Sequence, residues 1–323
     1  VVEILADAGI DSDGVGIVPI YEGGNNKVVV VQTSEGRYLA KTYFSHPSDA
    51  RDRLATEYSF LSYAIDAGLD CVPRPICCDR KRNIGLYEFV EGRKLESFEL
   101  TRKHIIEAAS FIKELNVNTE KGEALPTASE GCFSIEQHFM IIDKRLNRLL
   151  KLPVKSELER KVYSFINEIE SVWKKNKESI FSKDKLISKE LIGSDRCISP
   201  SDFGFHNALL RGSGDICFID FEYAGWDDPA KMVNDFFLQP AVPVSGEYYN
   251  EFIFEALSYS GNRAVLVDRA QLLSPIFKIK WCCLMLNEFL PDVAKRRQFA
   301  NPMLDSEKNK RLQLEKAQHF FYS

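Results

Sequence analysis

Strand signal in this chain is confined to residues 1–92 and to one short hairpin at 208–221, and almost everything else has the spacing of long helices. KVVVVQT at 27–33 is rich in β-branched residues, which favour a pleated backbone. The turn Ser34-Glu35-Gly36 then leads into RYLAKTYF at 37–44. Along that second strand Tyr38, Ala40, Thr42 and Phe44 share one face, while Leu39, Lys41 and Tyr43 share the other. Residues 50–67 place Leu54, Tyr58, Leu61 and Ile65 at helical spacing, with Gly68 as the stop. Strands at 76–79 and 84–90 complete the block, which closes at Glu91-Gly92. Beyond it the pattern predicts helices at 101–115, 135–150, 156–175, 248–260, 269–290 and 304–321, the third opened by a capping box of Ser156 and Glu159. The expected class is α+β, with a small antiparallel β-rich lobe at 1–92 and a larger, mainly helical lobe at 93–323.

Composition narrows the function classes. At 323 residues the chain can bury a core in each of two lobes. A net charge of −5 argues against general affinity for nucleic acid, which needs a basic surface. The basic spots Arg80-Lys81-Arg82 and Lys295-Arg296-Arg297 read as solvated surface. The 8 cysteines include the adjacent pairs Cys77-Cys78 and Cys282-Cys283 but no CxxC repeat, so they suit neither zinc nor a disulfide framework. They are expected as small buried thiols in a reducing, cytoplasmic setting. No apolar run approaches the ~20 residues of a membrane span, and no signal peptide is visible. Oligomeric state has no signature in the sequence.

The chemistry concentrates in residues 198–228, ISPSDFGFHNALLRGSGDICFIDFEYAGWDD. Asp202 is a carboxylate able to take a proton. Asn207 and Asp220, the latter at the end of the apolar run Ile216-Cys217-Phe218-Ile219, are hard oxygen ligands suited to magnesium. Each alone is ordinary turn chemistry; together they are the minimal equipment for moving a phosphoryl group from a nucleotide to a hydroxyl or amine. Asp202-Phe203-Gly204 also mimics the D-F-G triplet of protein kinases, which would make Asp202 the metal ligand. That register needs a D-x-x-x-x-N upstream, and 181–196 contains no Asn. The metal Asp is therefore Asp220. In the first lobe Lys41 stands mid-strand, where a charge is unwelcome unless paired. Glu57 in the following helix is its natural partner, worth ~4 kcal/mol at about 4 Å and an effective dielectric near 20. Tyr21-Glu22-Gly23-Gly24-Asn25-Asn26 gives a flexible backbone able to lie over phosphates.

In this order, Gly23-Gly24-Asn25-Asn26, Lys41, Glu57, the connector LYEFVEG at 86–92, Asp202, Asn207 and Ile219-Asp220-Phe221-Glu222 resemble the aminoglycoside phosphotransferase and choline kinase group. These are small-molecule kinases of the protein-kinase-like fold. The resemblance runs from about residue 18 to 240. It implies a nucleotide-binding first lobe. Gly23, Gly24 and Asn25 would lie over ATP, Lys41 on its α/β phosphates with Glu57 holding it, and the main chain of Glu88 to Val90 on adenine. Asp202 would be the base, and Asn207 and Asp220 would hold Mg2+. The acceptor would be a small molecule such as an aminoglycoside, a choline-like alcohol or a sugar, with Glu222, Trp226 and Asp227 facing it. Asp228 is a natural N-cap with Pro229 at N1, and Asp235 resembles a family Asp that braces the catalytic loop. The family has His two residues before its catalytic Asp, where this chain has Pro200. Glu222 stands where protein kinases have Gly, which favours the small-molecule group. His206 has no role in the motif. The rival expectation is a nucleotide-binding pseudokinase or scaffold without phosphotransfer.

Overall fold

The computed structural model describes residues 1–21, 25–46, 49, 51–183 and 187–323. Gly23 and Gly24 lie outside the described residues. The β-branched and turn signals of the first block fold into five antiparallel strands: β1 Gly16–Ile20, β2 Lys27–Gln32, β3 Arg37–Thr42, β4 Pro75–Asp79 and β5 Ile84–Glu88. Their order in the sheet is β1-β2-β3-β5-β4. Alternation along β3 divides the sheet faces. Val31, Ala40 and Leu86 pack with Ile4 and Leu5 of a short first helix, α1 (Val2–Asp7). Tyr43 and Tyr87 face the opposite way, into the main core with Leu54, Phe60 and Leu61 of α2 (Arg53–Asp66). Asp52 caps α2 by accepting the Ala55 N–H at 2.9 Å, which fixes the helix start and hence the height of Glu57 against β3. Gly85 has no side chain where the Tyr87 ring lies back over it, and that clearance lets the Tyr87 hydroxyl reach Tyr43.

The connector is pinned to the second lobe. Arg93 and Leu210 exchange backbone hydrogen bonds of 3.1 and 2.8 Å. A Cβ on Gly92 would meet Leu209 Cβ and the Leu210 carbonyl at 3.0 Å, so only glycine lets the two chains approach this closely.

The second lobe carries α3 (Arg102–Val117), α4 (Ile135–Leu149), α5 (Glu157–Lys183), β6 (Cys197–Ser199), β7 (Ala208–Leu210), β8 (Ile216–Phe218), β9 (Gly225–Asp227), α6 (Pro229–Leu238), α7 (Tyr249–Ala256), α8 (Arg263–Leu286), α9 (Pro291–Ala300) and α10 (Ser306–Tyr322). Two small antiparallel pairs, β6 with β9 and β7 with β8, hold the catalytic segment. Beneath them Phe111, Phe203, Phe205, Phe218, Phe221 and Phe236 pack ring on ring. Burying each ring contributes ~1.5–3 kcal/mol. The segment is thereby anchored by its apolar residues while its polar ones remain free to work.

Several sequence expectations change here. The helix expected at 269–290 begins at Arg263, runs through Pro275 and stops at Leu286. A separate α9 with Pro291 at its first turn follows, because a proline there costs no helical hydrogen bond. Lys295 is exposed as read, but Arg296 and Arg297 are half-buried. The physical reason is that α9 folds back onto the sheet: the Phe299 ring contacts Phe44 at 5.4 Å and lies under Lys27 at 4.5 Å. All 8 cysteines are free thiols. No helix among the described residues is long and apolar enough to cross a membrane.

Candidate active site

Lys41, Glu57 and Asp220 meet. Lys41 Nζ donates to Glu57 Oε2 at 2.7 Å and also contacts Asp220 Oδ1. Burial alone would discharge Lys41, but Asp220, Glu57 and Glu222 outweigh it and hold the ammonium protonated well above its ordinary value. Glu57 is buried too, and burial pushes its carboxyl up against the pull of Lys41. It is held by further donors, the Tyr43 hydroxyl at 2.6 Å and the Phe221 N–H at 3.2 Å. Tyr43 in turn shares a 2.6 Å contact with Tyr87. Neither tyrosine was read as part of the site. Tyr43 lies two positions from Lys41 on the same strand face, which is the one signal that could have found it.

Asn25 and Asn26, at the end of the glycine-rich turn, both land on Glu222. Their side-chain amides donate to its two oxygens at 2.7 and 2.6 Å, and Asn25 also reaches the Tyr223 hydroxyl at 3.0 Å. Glu222 is only 2% exposed, with Arg53 Nε 3.6 Å away. Its carboxylate therefore fastens the turn to the second lobe and does not face an acceptor, contrary to expectation. Asp227 departs in the same way, whereas Trp226 is half-buried. Asp227 is fully buried against Lys231. Trp226 sits in β9, its indole N–H on the Gly122 carbonyl at 3.0 Å and its backbone paired with Pro126 and Ala128.

The catalytic loop is built on strain and on lysine. Ser201 and Asp220 both adopt left-handed backbone, with φ of 68° and 70°, a conformation that costs a non-glycine residue ~1–3 kcal/mol. Ser201 is held there from two sides. Its N–H donates to Ser199 Oγ at 3.0 Å, and its hydroxyl accepts from Lys231 Nζ at 3.0 Å. Lys231 belongs to a buried chain of charge: it pairs with Asp227 and stands 3.8 Å from Asp235, which accepts from Lys280 Nζ at 2.5 and 2.7 Å. The bracing expected of Asp235 thus reaches the loop through Lys231. Its spacing of four residues from both Asp227 and Asp235 on α6 was visible in the sequence, but its target was not.

Asp202 itself keeps a side chain 37% exposed and 3.2 Å from His206 Nε2. Burial pushes its carboxyl up, but His206, Lys280 and the Asn207 amide outweigh that and hold it below the usual carboxylate range. It is a ready, ionised proton acceptor. Asn207 donates its amide N–H to the Asp202 carbonyl at 2.9 Å, which leaves its oxygen as the ligand atom. The Ile219 N–H donates to the Asn207 carbonyl at 2.9 Å, bringing Asn207 beside Asp220, whose side chain is 37% exposed. An amide and a carboxylate oxygen are the donor types that suit Mg2+, which takes few protein ligands and completes its shell with water and phosphate. No cluster of three or more His, Cys, Asp or Glu suited to a metal occurs among the described residues. At the connector, Glu88 is tied by its N–H and its carboxylate to the Arg74 main chain at 2.9 and 3.1 Å, and β5 ends there, so Phe89 and Val90 run on outside the ladder. A cavity of about 480 Å³ lies against Glu88, Phe89 and Val90, but none of Lys41, Asp202, Asn207 or Asp220 lines it.

The profile of the phosphotransferase enzyme family matches residues 16–231. Among solved structures, the chain is similar to a choline/ethanolamine kinase family protein from Mesorhizobium loti, with a TM-score of 0.61, 15% identity, and coverage of 99% of this chain and 93% of that one. It is similar to a spectinomycin phosphotransferase solved with ADP and spectinomycin, at TM-score 0.61, 15% identity, and coverage of 99% and 97%. A choline kinase from Cryptosporidium parvum Iowa II aligns at TM-score 0.55, 14% identity, and coverage of 97% and 92%. At such identities the likeness speaks for the fold, which is two-lobed and protein-kinase-like. A comparison with curated protein sequences finds no match.

Proposed function

The chain belongs to the phosphotransferase enzyme family, and from that premise we propose that it transfers the γ-phosphoryl group of ATP to a hydroxyl of a small acceptor. The observation that carries this reading is the meeting of Lys41, Glu57 and Asp220 with Asp202 and Asn207 on the adjoining loop. Lys41, kept charged by its carboxylates, orients the nucleotide phosphates. Asn207 and Asp220 would hold Mg2+, which when bound would neutralise charge on the phosphates. Asp202 orients the acceptor hydroxyl and takes its proton as the new P–O bond forms and the bond from the γ-phosphorus to the β-phosphate oxygen breaks, releasing ADP. His206 steadies the Asp202 carboxylate from one side and leaves the other oxygen to the substrate. Electrostatic stabilisation of the transferring group is the main contribution, and the proton transfer adds to it.

A pseudokinase without phosphotransfer draws its support from Pro200 in place of the family His. Lys231 supplies the loop with a different brace, and Asp202 retains the charge and exposure of a working base, so the catalytic reading is preferred. The test is Asp202→Asn. Mg-ATP at about a hundred times its dissociation constant stabilises a binder by ~2.7 kcal/mol, and the variant is expected to keep the wild-type thermal shift. ATP consumption across a panel of alcohols, sugars and amines is expected to fall by two or more orders of magnitude. Equal turnover in the variant removes Asp202 as base, and no shift in either protein sinks the nucleotide-dependent reading.

A further inference from the structure

Beside the proposed phosphate end of the cleft, four arginines gather from two elements distant in sequence. Arg51 and Arg53 come from the start of α2, and Arg296 and Arg297 from α9. Arg51 and Arg53 lie against Tyr223, whose ring centre is 5.2 Å from the Arg51 guanidinium carbon and 5.8 Å from that of Arg53, and Arg296 is close enough to act on Tyr223 electrostatically. Arg51 grips Asp49 with two hydrogen bonds of 2.7 Å. Arg53, only 2% exposed, uses Asp49 at 2.5 Å and the Phe44 carbonyl at 2.9 Å. Arg297 stands 3.4 Å from Glu288. Arg296 has no hydrogen bond or ion pair among the described residues, and the Nε atoms of Arg53, Arg296 and Arg297 are all buried without a hydrogen-bond acceptor. Burial, and then repulsion from Arg51, Arg53 and Arg297, pulls the Arg296 pKa down against the influence of Tyr223.

Among the described residues the four guanidinium groups face three carboxylates, Asp49, Glu222 and Glu288, and Arg296 has none of its own. Drawing an unpaired cation partly out of water is costly, and an anionic ligand would offset that cost. Guanidinium forks match phosphate and carboxylate oxygens in geometry as well as in charge. Position indicates which molecule brings the anion. The nucleotide phosphates are assigned to Lys41 and Asp220, whereas Tyr223 lies past Asp220 and turns toward the Ser129 segment, through the Ser129 N–H on its carbonyl at 2.9 Å and Arg51 on the Ser129 hydroxyl at 3.4 Å.

We propose that Arg296, with Arg51, receives a phosphate or carboxylate group carried by the acceptor, so that the substrate is an anionic alcohol. The inference rests on the kinase reading above and deepens it. It departs from the cationic examples among the acceptors that the resemblance implies, the aminoglycoside and the choline-like alcohol, because the carboxylates that would suit them, Glu222 and Asp227, are buried on partners of their own.

Two arms test it. In the first, ATP consumption is measured with glycerate, glycerol 3-phosphate and glucose 6-phosphate against glycerol, glucose and choline. The expected result is turnover confined to anionic acceptors, with the acceptor KM raised at least tenfold in Arg296→Gln, partly restored in Arg296→Lys, and the ATP KM unchanged. In the second, inorganic phosphate is titrated into the Mg-ADP complex and followed by thermal shift. Wild type is expected to gain stability, and Arg296→Gln, which removes a half-buried charge with no ion-pair partner among the described residues and so should fold at least as well, to gain little. Turnover of a neutral or cationic acceptor at the same efficiency in both proteins overturns the proposal. So does equal phosphate stabilisation, no phosphate stabilisation at all, or a loss of ATP affinity in place of acceptor affinity. Absence of any Mg-ATP shift is a separate result, which strikes the kinase reading itself.

Discussion

Lys231→Met is the sharpest test of how this chain holds its catalytic loop without the family histidine. The ammonium donates to Ser201 Oγ at 3.0 Å, pairs with fully buried Asp227, and lies 3.8 Å from Asp235. Burial alone would discharge Lys231, but Asp227 and Asp235 more than offset it, and its pKa rises above the ordinary lysine value. Asp235 keeps Lys280 in the variant, whereas Asp227 is left without a cation. Breaking one side of a buried pair costs ~3–5 kcal/mol, against a total stability of ~5–15 kcal/mol, so the variant is expected to fold with Tm lowered on the order of 10 °C. Burial already pushes Asp227 up against the pull of Lys231, and without the lysine it rises further. A carboxyl whose pKa is raised on folding loses stability as pH climbs from its unfolded value through that raised value, so the deficit should be smallest at and below about pH 4 and grow as pH rises. Catalysis is read separately, well below Tm. Ser201, at φ 68°, loses one of its two anchors, and a displacement of about 1 Å at Asp202 is worth ~10²-fold in rate. The expected outcome is kcat down about 100-fold, with the ATP KM within about threefold of wild type because Lys41 and Asp220 are untouched. Adding Asp227→Asn should restore most of the stability and none of the rate. A variant that melts early yet turns over at the wild-type kcat would refute the bracing argument.

Other substitutions separate the remaining roles. Asp220→Asn removes a hard ligand and the carboxylate that Lys41 touches, and calorimetry should find Mg2+-dependent ATP binding lost while the fold persists. Lys41→Met strands Glu57, 4% exposed and already pushed up by burial. Steady-state kinetics should show a raised ATP KM and a lowered kcat, and urea titration a loss of ~3–5 kcal/mol. Gly92→Ala sets a methyl at 3.0 Å from Leu209 Cβ and the Leu210 carbonyl. Urea titration should give a loss of ~1–3 kcal/mol from overpacking, with the Arg93–Leu210 backbone pair the first contact to give.

The nucleotide side was legible because its residues break local rules. A lysine inside a strand, an acidic partner on the next helix and a carboxylate at the end of an apolar strand each need an explanation, and one site supplies it for all three. The acceptor side broke no rule. Glu222, Trp226 and Asp227 fall in a stretch that reads as a loop, where acidic and aromatic residues are ordinary, and only the fold reveals that Trp226 and Asp227 belong to β9 and that Asn25, Asn26, Arg53 and Lys231 already occupy the two carboxylates. Arg296 was hidden for the opposite reason. A basic run on a polar helix has the pattern of solvated surface, and α9 carries it back to the sheet through one aromatic, Phe299, whose partners Lys27 and Phe44 lie far away in sequence. Helix extents shifted where tertiary packing overrode local signals, as with α8 running through Pro275.

Residues 220–222 explain why the motifs of the first lobe occur together. Asp220 meets Lys41, the Phe221 N–H meets Glu57 at 3.2 Å, and Glu222 takes Asn25 and Asn26 at 2.7 and 2.6 Å. Three consecutive residues thus reach the strand lysine, the helix glutamate, and Asn25 and Asn26. The chain turns at Asp220, which holds a left-handed φ of 70°. The ~1–3 kcal/mol of backbone strain is offset by the contact of Asp220 with Lys41 and by the buried Glu222 carboxylate, which finds its partners in this geometry. Moving Asn25 and Asn26 away would leave Glu222, 2% exposed, with Arg53 alone at 3.6 Å. Asn25, Asn26, Lys41 and Glu57 are therefore all tied to residues 220–222, and a substitution at Glu222 would first release Asn25 and Asn26.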